Sequence, residues 1–228
     1  MPPDAPEGGD QARLLAAAAA LGQGMTVAQA QQLLAYLALL QHWNRTHNLS
    51  AVREPGAMFT HHLLDSLAVL PALRRHLAAC AAPHVLDVGS GGGLPGLVLA
   101  VMEPSWRLTC VDAVAKKCAF IRQAAGELGL HNLATAHARV ERLATQQANL
   151  VISRAFASLL DFTTLTAMHL SPTGVWAAMK GKMPADELAA LPPEVTVFHV
   201  EQIAVPELDA QRCLVWMRPH KPRAGAGF

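Results

Sequence analysis

No stretch of the 228-residue chain reaches the ~18 consecutive uncharged apolar residues that a membrane-spanning helix needs. The alanine-rich segment Leu14–Leu21 is short, has no Lys or Arg cluster before it and no small-residue cleavage site close behind it. No signal peptide is therefore expected, and the expected location is the cytoplasm. Cysteine is scarce: Cys80, Cys110, Cys118 and Cys213 include no pair at the two-residue spacing of a zinc or redox site. Cys110 and Cys118 fall in apolar stretches and read as small core residues. Neither a metal site nor a disulfide framework is expected. Excess charge is also lacking. The formal net charge is +1, far from the strongly basic balance of proteins that hold nucleic acid by bulk charge. Basic clusters do lie in the later part of the chain, at Lys116-Lys117-Arg122, Arg139-Arg142, Lys180-Lys182 and Arg218-Lys221-Arg223. They fit either local phosphate contacts or an ordinary solvated face.

What the chain has is apolar residue, 52% of the total, enough for one large domain with or without a small appendage. Residues 1–10 are rich in Pro, Gly and acid and are expected to be a disordered tail. Residues 11–82 read as a helical region. Thr26-Val-Ala-Gln29 has capping-box form, and Leu33, Leu34, Leu37 and Leu40 recur at helical spacing up to Trp43. A polar loop is expected over 44–54, a second amphipathic helix over 57–70, and a short helix ending near Cys80. From Pro83 the pattern changes to strands and helices in alternation. Strands are expected at His84–Val88, Arg107–Asp112, Leu133–Ala138, Leu150–Ser153 and Val175–Lys180, with helices at Leu94–Met102, Ala115–Leu128 and Leu159–Leu170. Two late strands, Val195–Val205 and Cys213–Arg218, have no helix-length segment between them and predict a hairpin. The fold class is α/β: a Rossmann-like parallel sheet over 83–218 closed by an antiparallel hairpin, with 219–228 as a basic tail.

The strongest chemical signal is Asp87-Val-Gly89-Ser-Gly91-Gly-Gly93, where a strand runs into a glycine loop ahead of a helix. Glycines there let backbone approach a ligand, and the helix start offers free N–H groups. The kind of cofactor is less sharply marked, because Gly91-Gly-Gly93-Leu-Pro-Gly96 also fits the dinucleotide pattern G-x-G-x-x-G. Asp87, at the strand end where dinucleotide folds carry an apolar residue, turns the reading toward S-adenosyl-L-methionine. It can hold loop backbone or the methionine ammonium. Asp112 ends the next strand, where a carboxylate can accept ribose hydroxyls in either cofactor family. The terminal hairpin also favours a methyltransferase sheet.

Ligands of open α/β sheets sit at the carboxyl ends of the strands. That edge includes Arg139-Val140-Glu141, whose backbone at Val140 and Glu141 can meet an adenine, and Ser153-Arg154. A cation beside Val151, Ile152 and Phe156 requires a partner. For Arg154 this is the cofactor carboxylate, or a carboxylate of the protein such as Asp87 or a neighbour. Lys180-Gly-Lys182 follows the fifth strand, suited to phosphate or acceptor base, or simply a solvated strand end. No Asn-Pro-Pro-Tyr type motif ends the fourth strand and no cysteine stands there, which argues against adenine-N6, cytosine-N4 and cytosine-C5 chemistry. His62, Asp65 and Ser66 share a helix face at i, i+3, i+4, with His61 out of register. They form either a polar contact joining helices to sheet or an active-site wall.

Trp43-Asn44, Asn48-Leu49-Ser50, His62-Leu-Leu-Asp65-Ser66, the Asp87–Gly96 loop, Arg139-Val-Glu141, Ile152-Ser-Arg-Ala-Phe-Ala-Ser158 and Lys180-Gly181 occur in this order. Together they resemble the bacterial small-subunit rRNA guanine-N7 methyltransferases, the glucose-inhibited division protein B family, from about Leu33 to Met217. The resemblance implies S-adenosyl-L-methionine as cofactor, S-adenosyl-L-homocysteine as product, and one guanine of 16S rRNA near the decoding site as acceptor, within the small ribosomal subunit or its precursor. It supports Gly89, Leu94, Val140, Glu141 and Arg154 as cofactor contacts, which with Asp87, Gly91, Gly93 and Asp112 make up the expected cofactor-binding set. Lys180 and His62 become wall candidates, and Arg53, Arg139, Lys180 and Lys182 candidate RNA contacts. No membrane contact and no metal are implied. Gly92, where relatives often have Pro or Ala, is a departure expected to loosen the loop. Two other readings remain: a methyltransferase for a small molecule or protein, and a non-catalytic cofactor-binding RNA module.

Overall fold

The computed structural model describes residues 7–154 and 156–220. Lys221 and Arg223 of the basic tail, residues 1–6 and Ala155 lie outside the described residues. Residues 7–10, expected to be disordered, instead open helix α1 (Glu7–Ala20). Helix α2 (Val27–His47) starts at the expected capping box: Thr26 Oγ1 accepts from Gln29 N–H and the Gln29 side chain accepts from Thr26 N–H. It runs one turn beyond Trp43. Asn44 is buried, with Oδ1 accepting from Ser50 N–H and Nδ2 donating to the Val52 carbonyl, so the polar run begins inside the helix. Asn48 ends it in the left-handed conformation, φ 49°.

The second helix expected over 57–70 is broken into pieces. Helix α3 (Pro55–Met58) leads into a π-helical turn, Phe59–Leu64, followed by α4 (Asp65–Ala68) and α5 (Leu70–Leu77). Strand β1 (His84–Val88) enters the glycine loop, and α6 (Gly96–Met102) begins two residues later than expected, because at Gly93, φ 90°, the chain is still turning. Then come β2 (Arg107–Asp112), α7 (Ala115–Glu127), β3 (Leu133–His137), β4 (Ala148–Ser153), α8 (Leu159–Thr166), β5 (Leu170–Lys180), α9 (Ala185–Ala189), β6 (Val195–Gln202) and β7 (Cys213–Pro219). Helix α8 stops at Thr166, where Thr166 Oγ1 takes the indole N–H of Trp176. The sheet order is β3-β2-β1-β4-β5-β7-β6, with β1 to β5 parallel and β7 antiparallel to both neighbours. The Rossmann-like sheet with a terminal hairpin is the architecture read from the sequence.

Alternate residues of the central strands feed two cores, as a sheet covered on both faces requires. Val85, Leu108, Ile152, Ala177 and Trp216 pack with residues of α1, α2, α4, α5, α6 and α7. Leu86, Val111, Val151, Trp176 and Val215 pack on the other face with Leu159 and Phe162 of α8. The N-terminal helices thus share a core with the sheet and reach its ligand edge: the buried Tyr36 hydroxyl donates to the Gly92 carbonyl at 2.7 Å. Gly92 is pinned rather than loosened, correcting the sequence expectation. Among the described residues no helix is long and apolar enough to cross a membrane.

Gly96 is required for space. A Cβ at residue 96 would stand 2.5 Å from Cys110 Sγ and 2.8 Å from Asp87 Oδ2, both buried, whereas one at Gly24 would meet nothing within 4 Å. Gly96→Ala is expected to lower unfolding free energy by about 1–3 kcal/mol, the cost of overpacking a core. Gly24→Ala should stay within about 0.5 kcal/mol of wild type. Urea denaturation of both variants checks this; equal effects would contradict it.

Candidate active site

The carboxyl edge of the sheet is organised around the glycine loop. Gly89 and Gly91 have φ of 68° and 58°, a region that L side chains rarely adopt. Two carboxylates take the loop's backbone. Asp112 Oδ2 accepts from Gly91 N–H at 3.0 Å while its Oδ1 accepts from Val114 N–H at 2.9 Å. Asp87 Oδ2 accepts from Gly96 N–H at 2.8 Å, and Oδ1 is buried without a partner. Burial is the main reason that the Asp87 carboxyl is pushed up to about 7, with the Gly96 hydrogen bond and the Arg154 charge opposing it.

Beside the loop lies a cleft of about 280 Å³, lined by Val88, Gly89, Val111, Asp112, Ala138, Arg139, Val140, Glu141 and Phe156, among others. Its apolar residues beside the Asp112 carboxylate fit a flat ring attached to a ribose. A Cβ on Gly89 would meet nothing, so the backbone there is open to a ligand. Of the candidate cofactor residues, Gly89, Asp112, Val140 and Glu141 line this cleft. Gly91, Gly93 and Leu94 do not. They shape the loop, and Leu94 is buried in the core. The Val140 carbonyl already accepts from Nε2 of the buried His169, a residue that sequence reasoning missed and that anchors this wall.

Arg154 faces a second, neighbouring cavity of about 360 Å³ with Val52, His61, His62, Asp65, Met179, Lys180, Gly181 and Arg212. Its partner is Asp65 at 3.8 Å, not Asp87. Arg154 Nη1 also donates to the His61 carbonyl at 2.9 Å and approaches His62 Nδ1 at 3.4 Å. The π-helical turn accounts for this: an extra residue in the turn brings both His61 and His62 to the cavity, where regular helical spacing puts His61 out of register. A guanidinium can only donate, so His62 Nδ1 accepts and Nε2–H donates to Ser50 Oγ at 2.8 Å. Arg212, unmarked in the sequence because it stands alone before a strand, gives Asp65 Oδ1 a 2.8 Å hydrogen bond from Nε. Separate sequence strings, Asn44, Ser50, His62, Asp65 and Arg154, thereby converge in one network. It joins the helices to the sheet and lines the cavity at once.

The cations are spread out. Arg139 is exposed at the cleft rim beside Glu141, 3.9 Å away. Lys180 is paired with Glu187 at 2.8 Å, and Glu187 also caps α8 by accepting from Leu159 N–H. Lys182 is exposed and lines neither cavity. Arg53 donates to Asn48 Oδ1 and lines a separate small hollow with Arg45 and Gln41. Among the described residues no group of His, Cys, Asp and Glu is arranged to hold a metal.

This sheet, with its terminal hairpin, defines the class of fold: Rossmann-like, as in solved methyltransferases. TrmN from Thermus thermophilus matches it at TM-score 0.55 and 20% identity, over 71% of this chain and 53% of that one. The N-methyltransferase NodS from Bradyrhizobium japonicum WM9, solved in complex with S-adenosyl-L-homocysteine, matches at TM-score 0.53 and 16% identity, over 80% of this chain and 99% of that one. These likenesses concern the fold. The model of the family rRNA small subunit methyltransferase G matches residues 29–215. Ribosomal RNA small subunit methyltransferase G of Acidovorax sp. (strain JS42) is 58% identical over 207 residues, covering 88% of this chain and 91% of that protein. The protein of the same name from Leptothrix cholodnii is 54% identical over 210 residues, covering 92% and 96%. The chain belongs to this family, and it is an S-adenosyl-L-methionine-dependent methyltransferase.

The His62 network carries a pH signature. Burial, then the neighbouring Arg154 charge, pushes the imidazole down to about 4. The unfolded chain therefore takes a proton below about 6.5 that the folded one refuses until about 4, and stability falls as pH drops through that window. Relative to His62→Gln, which keeps an N–H but does not titrate, the wild type is expected to lose about 2 kcal/mol between about pH 7 and pH 5. Chemical denaturation of both proteins at the two pH values measures it; a pH-independent difference would contradict the assignment.

Proposed function

We propose that the acceptor of this small-subunit rRNA methyltransferase is N7 of one guanine of 16S rRNA near the decoding site, presented by the small ribosomal subunit or its precursor in the cytoplasm. The observation that carries the reading is the pair of adjoining cavities at one sheet edge. One is an apolar cleft ending in Asp112, and the other a polar chamber walled by Arg154, His62 and Lys180. The first takes the adenosine of the cofactor, with Gly89, Val140 and Glu141 around it and Asp112 at the ribose. The methionine part runs past Asp87, whose unpartnered Oδ1 suits an ammonium, toward Arg154, whose guanidinium suits a carboxylate. The acceptor base enters from the second cavity, beside Lys180 and His62.

The bound cofactor supplies an electrophilic methyl group on sulfur. Guanine N7 carries a free lone pair, so no residue needs to remove a proton before transfer. The chain's own work is placement of the two reactants in line, and such placement can supply on the order of 7–11 kcal/mol. His62 is held neutral and engaged with Ser50 and Arg154, which suits a wall rather than a general base. The purine gains positive charge as it reacts, and Asp65 is the carboxylate that lines the chamber, shared there between Arg154 and Arg212. Single-stranded loops expose guanine N7, and the small net charge of the chain fits a substrate recognised as a structured particle.

Small subunits from a strain lacking the modification, incubated with the protein and methyl-labelled S-adenosyl-L-methionine, should incorporate label into 16S rRNA. Chain cleavage at 7-methylguanine should map it to one guanine. Label at adenine or cytosine, or none in 16S rRNA, would overturn the acceptor assignment. Arg154→Ala should weaken S-adenosyl-L-homocysteine binding at least about tenfold, the loss of one charge-assisted hydrogen bond or more; isothermal titration with unchanged affinity would remove Arg154 from the cofactor site.

A further inference from the structure

At the opposite end of the sheet from the active site, by the amino ends of the parallel strands, lies a hollow of about 590 Å³ that the methyl-transfer chemistry does not use. It is lined by His76, Pro172, Thr173, Phe198, Arg218 and His220, among others. Its floor is aromatic. Phe198 falls where the pairing of β6 with β7 slips between Val197 and His199, so it occupies a β-bulge. Bulges redirect side chains, and this one leaves a Phe ring 38% exposed where an alternating strand gives a covered or a polar residue. The ring stacks on His76 of α5 at 6.0 Å and 28°, and His76 packs on Trp216 at 4.7 Å. The Arg218 guanidinium lies 5.5 Å from the centre of the Phe198 ring. No carboxylate lines the hollow, and Arg218 has no ion-pair partner among the described residues. The nearby Glu201 is taken up by Trp216 Nε1–H and Arg75. Thr173 adds a hydroxyl at the rim, and Thr196 Oγ1 stands there in a 3.1 Å hydrogen bond with His220 Nδ1.

An exposed phenylalanine ring, an unpaired guanidinium over it, hydroxyls and no opposing acid among the lining residues form the combination that holds an unstacked base with its phosphate. We propose that this hollow docks a single-stranded nucleotide of ribosomal RNA away from the acceptor guanine, with the base stacked on Phe198 and the phosphate on Arg218. The proposal rests on the reading that the acceptor is rRNA. It also answers a question that reading leaves. A chain of net charge +1 does not grip RNA by bulk charge, and a stacking contact roughly 25 Å from Lys180, by the rise of strand β5, gives a second point of attachment on a large particle.

The test compares wild type with Phe198→Ala, Phe198→Trp and Arg218→Gln, using methyl transfer to small subunits and binding of a fluorescent single-stranded oligoadenylate. Phe198→Ala should raise the KM for subunits at least about fivefold, the lower end of base stacking, and abolish oligonucleotide binding. Its kcat and its S-adenosyl-L-homocysteine affinity should be unchanged. Phe198→Trp should restore the KM, which separates stacking from any folding defect. Arg218→Gln should reduce the salt slope of RNA binding by about one. Unchanged KM and unchanged oligonucleotide affinity in Phe198→Ala would overturn the proposal. If wild type binds the oligonucleotide through Phe198 yet leaves 16S rRNA unlabelled, the docking surface stands and the acceptor assignment falls.

Discussion

The carboxylates of Asp87 and Asp112 take hold of backbone N–H groups at the two ends of the glycine loop, Gly96 and Gly91, and the rest of the ligand edge is arranged around that grip. The loop has left-handed backbone at Gly89, Gly91 and Gly93, which unfolded glycines do not hold by themselves. Fixing it at both ends leaves Gly89 open beside the cleft and fills residue 96 so completely that no side chain fits. Tyr36 adds a third tether at Gly92 from the N-terminal helices. A cofactor therefore meets a preformed cradle and orders little on arrival. The cost is a buried carboxyl, Asp87, with one oxygen left unpartnered.

The second organising element is the Asp65 carboxylate between the guanidinium groups of Arg154 and Arg212. It links three parts of the chain that are distant in sequence: the start of α4, the end of β4 and the start of β7. Removing Asp65, the one buried member, leaves two half-buried guanidinium groups without their shared acceptor. Because Arg154 also meets His61 and His62, the N-terminal helices form a wall of the polar cavity as well as a cover for the sheet.

Much of this was legible in the sequence, and the failures have physical causes. Strand alternation, the hairpin, the capping box at Thr26 and the cleft residues Gly89, Asp112, Val140 and Glu141 follow from local pattern, and they appear in the structure. The partner of Arg154 was open between Asp87 and a neighbour, because strand order alone does not say that α4 lies over the end of β4. Regular spacing of 3.6 residues per turn puts His61 out of register with His62, and the π-helical turn breaks that spacing. Arg212, Glu187 and His169 carry no local motif; each matters through one long-range contact that only the folded chain reveals. Gly92, read as loosening the loop, turned out to be held by a tyrosine fifty-six residues earlier.

The central claim is that these residues position two reactants and remove no proton. Its most direct test is the single-turnover rate of methyl transfer to small subunits at saturating cofactor, followed from about pH 6 to about pH 8.5. The account predicts a flat profile, since guanine N7 needs no deprotonation and His62 is already neutral throughout that range. A rate that climbs about tenfold per pH unit would show a general base at work and contradict it.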